Sequence, residues 1–486
     1  MKICELSVSP RIRVLSKLLA PLLCFFLLHN LEAWAAQSSQ VKPNQTGASP
    51  TPEASKRKRL IRKKGRRRHR RLKVSRSLKP MPPLSEAPFS AAVPVVELIE
   101  EGKSRLEKEV VSYFPGSRKQ TSRREIKLAL ANFKTGEIQI VSGIETNQKF
   151  SLLGSDVRFR VDWWNGFNSS MTILEPANTG VVALLYALEP ERQKFLRQDA
   201  IIYCPYSSAL LQTELVEAGK NYLMEKIAQA RKELAHVRSH AFAGMSLESA
   251  GWMSNEDYFN LILTEQMDPG RFRSIASGDT ELSPEQVSEI MRLAERILVI
   301  LGANQEDAYS FTGNYASARG LTQFTPVGMR VVWDQYPEAG ISRDFLDATG
   351  EPVNAIKAEI CLLDHDLADL SRTYPNLIGS GFAKYAAGAS YNGGPRRVHY
   401  GLQHFGVDWL HPVVRFTNLS NKKRLSQNER LEYQWLKSNR GHETFVYLNK
   451  LHAIERTQEK LLLSKAPNNA GSEVSVTPPL QEGAAH

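Results

Sequence analysis

The chain has 486 residues, 23% of them charged, and a formal net charge of +12. That length exceeds what one small core organises, so two or three folded units are expected. Lys56 to Lys79 alone hold fifteen Lys and Arg and no acid, which leaves the remainder at −3 and excludes a folded part built around a basic surface.

At the N-terminus, positive charge over Arg11 to Lys17 precedes a short apolar run, Leu18 to Leu28, and then Ala33-Trp34-Ala35-Ala36. This order predicts a secretory signal peptide over 1–36, because the run is too short to cross a bilayer; an uncleaved anchor is the competing reading. Cys24 follows two leucines, so it lacks the small residue that a lipoprotein signal places before its cysteine. The expectation is an exported protein of the periplasm or cell envelope. Residues 37–94 are poor in large apolar side chains and cannot offset chain entropy by burial, which predicts a disordered basic linker. Behind an export signal, the candidate partners of Lys56 to Lys79 are anionic envelope polymers and lipid headgroups. No nucleic acid is expected, since no aromatics interleave the charge for base stacking. A solvated spacer is the alternative.

Folded sequence starts near Val95. Val95 to Val111 reads as a helix with an acidic cluster at Glu97, Glu100 and Glu101. Ile126, Leu128 and Leu130 alternate as in a half-buried strand, Phe133-Lys134-Thr135-Gly136 turns, and Ile138 and Ile140 return. Further strands are predicted at Val157 to Trp163, Met171 to Leu174 and Ala200 to Cys204, followed by a long helix from Ser208 to Arg238. Residues 95–240 therefore form an α+β accessory domain without a recognisable chemical motif. Trp163-Trp164 with Asn165 offers a sugar-stacking platform, but neighbouring tryptophans in a strand more often place one in the core and one at an edge.

His236 to Gly251 reads as a linker, and the pattern then turns helical over 252–457. Ser254 and Asp257 form a capping box ahead of Tyr258, Leu261, Ile262 and Glu265, and Pro269-Gly270 stops the helix. Ser283-Pro284 starts a second helix with an apolar stripe from Val287 to Leu298, ended by Gly302. Helices at Pro326 to Tyr336 and Val353 to Leu370 follow, the latter with Ile356, Ile360, Leu363 and Leu367 inward. The last begins near Glu443, and residues 465–486 read as a disordered tail. Cys204 and Cys361 are expected as separate buried thiols, with a disulfide as the alternative in an oxidising compartment. No Cys/His cluster has metal-ligand spacing, so neither metal nor cofactor is implied.

Chemistry concentrates in three segments. Tyr309 to Pro326 crowds Ala316, Ser317, Ala318 and Gly320 ahead of Gln323, a side chain that both donates and accepts hydrogen bonds. Lys384 to Val398 carries Ser390-Tyr391-Asn392-Gly393-Gly394-Pro395. Glu443 to Leu448 reads Glu-Thr-Phe-Val-Tyr-Leu. In that order the three resemble the Gly-Leu-Met-Gln, Ala-Tyr-Asn-Ala-Gly-Pro and Glu-Thr-Arg-x-Tyr-Val motifs of the soluble lytic transglycosylases, lysozyme-like enzymes that cut bacterial peptidoglycan. The resemblance implies a mainly α, lysozyme-like catalytic domain acting on glycan strands, a monomer, and one glutamic acid as acid and base. It also implies that Tyr391 lies beside that acid, with Gln323 and Asn392 lining the substrate cleft.

Two glutamates compete for the acid. Glu265 ends an apolar helix but stands far from Gly320, across an extra predicted helix, and Gln266 replaces the Ser usual after the acid. Glu306 has the ordinary spacing but sits in a loop between Gln305 and Asp307. Glu265 is preferred, because a general acid must keep its proton near neutral pH and burial achieves this. The competing function is a non-catalytic envelope protein that binds glycan or polyanion.

Overall fold

The computed structural model describes residues 93–465 except 117–120, 148, 165, 277–281, 314–316 and 440–441. The predicted signal peptide, nearly all of the basic linker and the tail beyond residue 465 lie outside the described residues, as do Asn165 and Ala316.

Helix α1 (Val95–Leu106) is shorter than the predicted 95–111. After Leu106 come Glu107, Lys108 and Glu109 and then β-branched Val110 and Val111, and the chain extends into β1 (Tyr113–Phe114). Strands β2 (Arg123–Asn132) and β3 (Ile138–Thr146) make the predicted hairpin, with Gly136 at φ +75° in its turn. They are followed by β4 (Lys149–Leu152), β5 (Arg158–Trp163), β6 (Ser170–Glu175), β7 (Thr179–Ala187), α2 (Pro190–Leu196) and β8 (Ala200–Tyr203). One antiparallel sheet has the order β4-β3-β2-β7-β8 with β1 paired to β2, and β5 and β6 pair apart.

The central strand β7 escapes the alternation rule because all nine of its residues are buried. With α1 on one face, it reads as a continuous apolar run instead. Of the tryptophan pair, Trp164 stacks on Phe150 at 5.3 Å and donates to Glu145 at 2.8 Å, while Trp163 stays exposed at an edge.

The remainder is helical: α3 (Thr213–Glu233), α4 (Asn255–Gln266), α5 (Pro269–Ile275), α6 (Pro284–Asn304), α7 (Pro326–Gln335), α8 (Phe345–Gly350), α9 (Pro352–Thr373), α10 (Ala383–Gly393), α11 (Pro395–Phe405), α12 (Pro412–Ser420), α13 (Gln427–Asn439) and α14 (Glu443–Lys465). A sheet-containing region thus precedes a mainly helical one; one large buried core runs through both, with a small second cluster around Phe416 and Leu436. The predicted helix 208–238 begins with a 3-10 turn at Ser208–Leu210 and is α-helical over α3 only.

Three sequence expectations are corrected by packing. Pro269 does more than stop α4: behind the Asp268 cap it opens α5. Gly302 does not end α6, which continues to Asn304. Its role is close approach, since a methyl there would lie 2.4 Å from the Leu215 carbonyl oxygen and one at Gly219 would lie 1.9 Å from that of Leu298. Residues 236–251 are no free linker. Val237 and Leu247 are buried, and Asp364 accepts from Ser239 Oγ and the His240 amide, each at 2.6 Å, and from Tyr336 at 2.8 Å.

Candidate active site

Helix α4 starts from the predicted capping box, in which Ser254 accepts from the Asp257 amide while Asp257 accepts from that of Ser254. Tyr258 to Thr264 are buried without interruption, and Glu265 follows in the last turn. The residue as a whole keeps partial exposure, yet Oε1 is sealed off and has no hydrogen-bond partner. Burial pushes the Glu265 pKa well above the ordinary carboxylate range. Lys450 pulls it back, Glu443 adds to the rise, and the nearby Tyr447 hydroxyl lowers it slightly. That hydroxyl is buried and makes no hydrogen bond.

Lys450 is buried beside the end of the same helix. Its ammonium donates to the carbonyls of Thr264 and, at 2.9 Å, of Met267, which places positive charge on the carbonyl end of α4 where the helix dipole favours it. Burial lowers the lysine pKa and Glu265 opposes that shift.

The loop before α7 reaches the same place. Gln266 Nε2 donates to the carbonyls of Gly320 at 3.1 Å and Leu321 at 2.6 Å, tying the residue after the acid to the small-residue segment. A serine would be too short for that span, so the departure at Gln266 has a structural use. Gly320 has φ +73°, and a methyl there would sit 2.0 Å from the Thr349 carbonyl oxygen. Gln305, Tyr309, Ser317 and Gln323 also take positive φ, four of the seven non-glycine residues that do so among those described. Such strain persists where surrounding contacts enforce it, often at functional sites. Gln323 is half-buried and folds back, donating to the Gly320 carbonyl at 2.9 Å.

From the other side, α10 brings Tyr391, whose hydroxyl donates to the Thr322 carbonyl at 2.6 Å and feels the charge of Glu265. Asn392 Oδ1 is buried and unpartnered at the helix end. The small residues of this motif serve close packing on α4 and α14. A methyl at Gly388 would touch Leu261 and Tyr447, and one at Gly393 would lie 2.1 Å from Thr444 Oγ1. Arg397 donates to that same oxygen at 2.7 Å. The predicted Tyr391 is therefore placed near Glu265, and the loop of Gln323 is tied both to α4 and to Tyr391. Glu306 is elsewhere: its side chain is 58% exposed and paired with Lys226 at 2.5 Å.

No family model, curated protein or solved structure matches this chain.

The sequence reading missed two members of the cluster. Glu359, on α9, is completely buried with both oxygens unpartnered, and burial and then Glu265 push its pKa far up. Lys450 is the other. Glu359 stands one turn from Ile356 and Leu363 on the inward stripe, and Lys450 one turn from Tyr447, so their positions were readable on the helix faces. A pocket of about 230 Å³ lined by Phe272, Tyr385, His411, His452 and Arg456 shares no residue with this cluster and is not taken as its cleft. Among the described residues no group of His, Cys, Asp and Glu is placed to hold a metal ion, and no helix is long and apolar enough to cross a membrane. Cys204 and Cys361 are both free and buried.

Proposed function

We propose that this protein is an exported lytic transglycosylase that cleaves the N-acetylmuramic acid to N-acetylglucosamine bond of peptidoglycan, with Glu265 as its one acid and base in a lysozyme-like helical domain. The observation that carries the reading is convergence: segments around residues 320, 391 and 447, far apart in sequence, meet about the buried carboxyl of Glu265. Protonated Glu265 gives its proton to the glycosidic oxygen as the bond to the muramyl C1 breaks. The resulting carboxylate takes the proton of the muramyl 6-hydroxyl, whose oxygen closes on C1 to a 1,6-anhydro ring. Water is not the nucleophile, so the second carboxylate of an ordinary glycosidase is not required. Burial lets Glu265 hold its proton near neutral pH, and Lys450 keeps that shift from becoming so large that the base step fails.

Glu265→Gln keeps size and hydrogen bonding but cannot transfer the proton. Release of anhydromuropeptides from purified peptidoglycan, followed by mass spectrometry, should fall about a hundredfold to ten-thousandfold. Glu306→Gln should keep most activity, because Glu306 is a solvated, ion-paired side chain. A dead Glu306→Gln beside an active Glu265→Gln would reassign the acid. A wild-type protein that binds sacculi but releases nothing would favour the binding-protein reading.

A further inference from the structure

The sheet region has no part in the mechanism above, yet two of its aromatic rings close on a charged residue of α6. Trp163, at the end of β5, stands opposite Ser170 of β6, and Ser170 in turn bridges to Tyr206, which follows β8. Residues opposite one another across strands share a face, and neighbouring strands lie about 4.8 Å apart. Trp163 and Tyr206 therefore flank a small serine, with a slot between their rings. Arg296 of α6 reaches into that slot. Its guanidinium carbon lies 4.5 Å from the centre of the Tyr206 ring and 5.9 Å from that of Trp163. Tyr206 is buried and Trp163 is 39% exposed, so the slot is closed at one end and open at the other.

Ring faces alone hold this cation. Arg296 is half-buried but makes no ion pair and no hydrogen bond with any described residue. The acids nearby are engaged elsewhere or stay apart. Asp162 accepts from Arg160 and Thr172, each at 2.6 Å, and Asp268 accepts from the Arg271 amide at 2.6 Å. Glu295, the preceding residue, does not pair with it. Burial lowers the Arg296 pKa and Arg271 lowers it further, so the local balance lacks an anion. A guanidinium carries five N–H donors in a planar fork that a carboxylate matches with both oxygens. Beside those unused donors, the exposed Trp163 ring offers a flat apolar face on which the C–H side of a sugar ring can stack. A dianionic phosphate would meet repulsion from Asp162, Asp268 and Glu295, whereas a single carboxylate asks for one cation.

We propose that Arg296, Trp163 and Tyr206 form a binding site for a sugar that carries a carboxylate, with the Arg296 fork on the acid and the Trp163 ring against the sugar. That the sugar is N-acetylmuramic acid rests on the lytic reading: its lactyl group ends in a free carboxylate wherever no stem peptide is attached. The sheet region then selects bare glycan for the helical domain, and a reaction that removes stem peptides would supply it.

Isothermal titration of the full-length protein compares three ligands. N-Acetylmuramic acid has ring and carboxylate, N-acetylglucosamine has the ring without the carboxylate, and D-lactate has the carboxylate without the ring. The first should bind about tenfold to a hundredfold more tightly than either of the others. Arg296→Met keeps the stem and loses the fork, so it should bring N-acetylmuramic acid down to the level of N-acetylglucosamine. Trp163→Ala removes an exposed ring and should weaken both sugars while leaving D-lactate unchanged. This variant carries the test if the methionine protein does not fold. N-Acetylmuramic acid binding no tighter than N-acetylglucosamine, or binding untouched by Trp163→Ala, would overturn the site. A wild type that shows the expected pattern but releases no anhydromuropeptides would sink the lytic reading and leave the site standing. An active enzyme without the pattern would do the reverse.

Discussion

Gly320 offers the sharpest test of how the loop supports the site. Its φ of +73° would strain any L side chain, and an alanine methyl would lie 2.0 Å from the Thr349 carbonyl oxygen, deep inside contact distance. Left-handed backbone costs a non-glycine residue about 1–2 kcal/mol, and the stiffer unfolded chain returns roughly 0.4–1 kcal/mol. Gly340 isolates that part, since it has φ +64° and nothing within 4 Å of an added methyl. Gly340→Ala should therefore destabilise by about 1 kcal/mol or less. Gly320→Ala adds overpacking against backbone, typically about 1–3 kcal/mol, for a total of about 1–4 kcal/mol. For roughly 370 folded residues this lowers the melting temperature by about 1–5 °C. The displaced Gly320 carbonyl would also loosen both Gln266 and Gln323. Anhydromuropeptide release should fall well below the midpoint temperature in Gly320→Ala and not in Gly340→Ala. Equal melting of the two variants, with full activity in both, would refute the close-approach argument.

Tyr391→Phe leaves the Thr322 carbonyl without its donor, so turnover should fall together with a stability loss of about 1–2 kcal/mol. Gln323→Ala should lower turnover as well, the two being measured by rate of product release and by thermal melting. Lys450→Met removes the cation that draws the Glu265 pKa down. Glu265 then holds its proton to higher pH, and the basic limb of the kcat/KM profile should move upward, while the protein loses stability because the Thr264 and Met267 carbonyls lose their donor. A downward movement of that limb would refute the assigned direction.

Helix starts were the most legible feature of the sequence, because their chemistry is local. Ser283-Pro284 and Thr325-Pro326 open helices as expected, whereas Pro269, Pro395 and Pro412 open helices that the sequence did not lead us to expect. Glu265 was legible for a related reason: it ends an uninterrupted apolar run on a capped helix. What stayed hidden depends on contacts across the chain. β7 lacks alternation since both its faces are covered, and helices α11, α12 and α13 were not expected at all. Glu359 looks like any polar residue in an amphipathic helix, yet the fold leaves it wholly buried with neither oxygen partnered. Nothing local distinguishes a glutamate with its carboxyl in water from one with both oxygens enclosed.

The helix that spoiled the spacing between Glu265 and Gly320 turns out to join the two parts of the fold. Its Gly302 meets Gly219 of α3 with backbone against backbone. At its last residue, Asn304 clasps Cys204 after β8, accepting from the amide at 2.7 Å and donating to the carbonyl at 3.0 Å, as a paired strand would. Lys103 of α1 donates to the Ala303 carbonyl at 2.7 Å, placing a cation at the negative end of the helix. A buried amide pair of this kind is costly to leave half-made, since each orphaned group costs about 1–3 kcal/mol. The sheet is therefore fixed to the same helix whose exit leads directly into the strained loop that carries Gly320 and Gln323. An insertion placed there lengthens the sequence between acid and loop without lengthening the distance that Gln266 has to span. Spacing along the chain therefore says little about which residues lie near that loop, because Gln266 reaches it across the insertion.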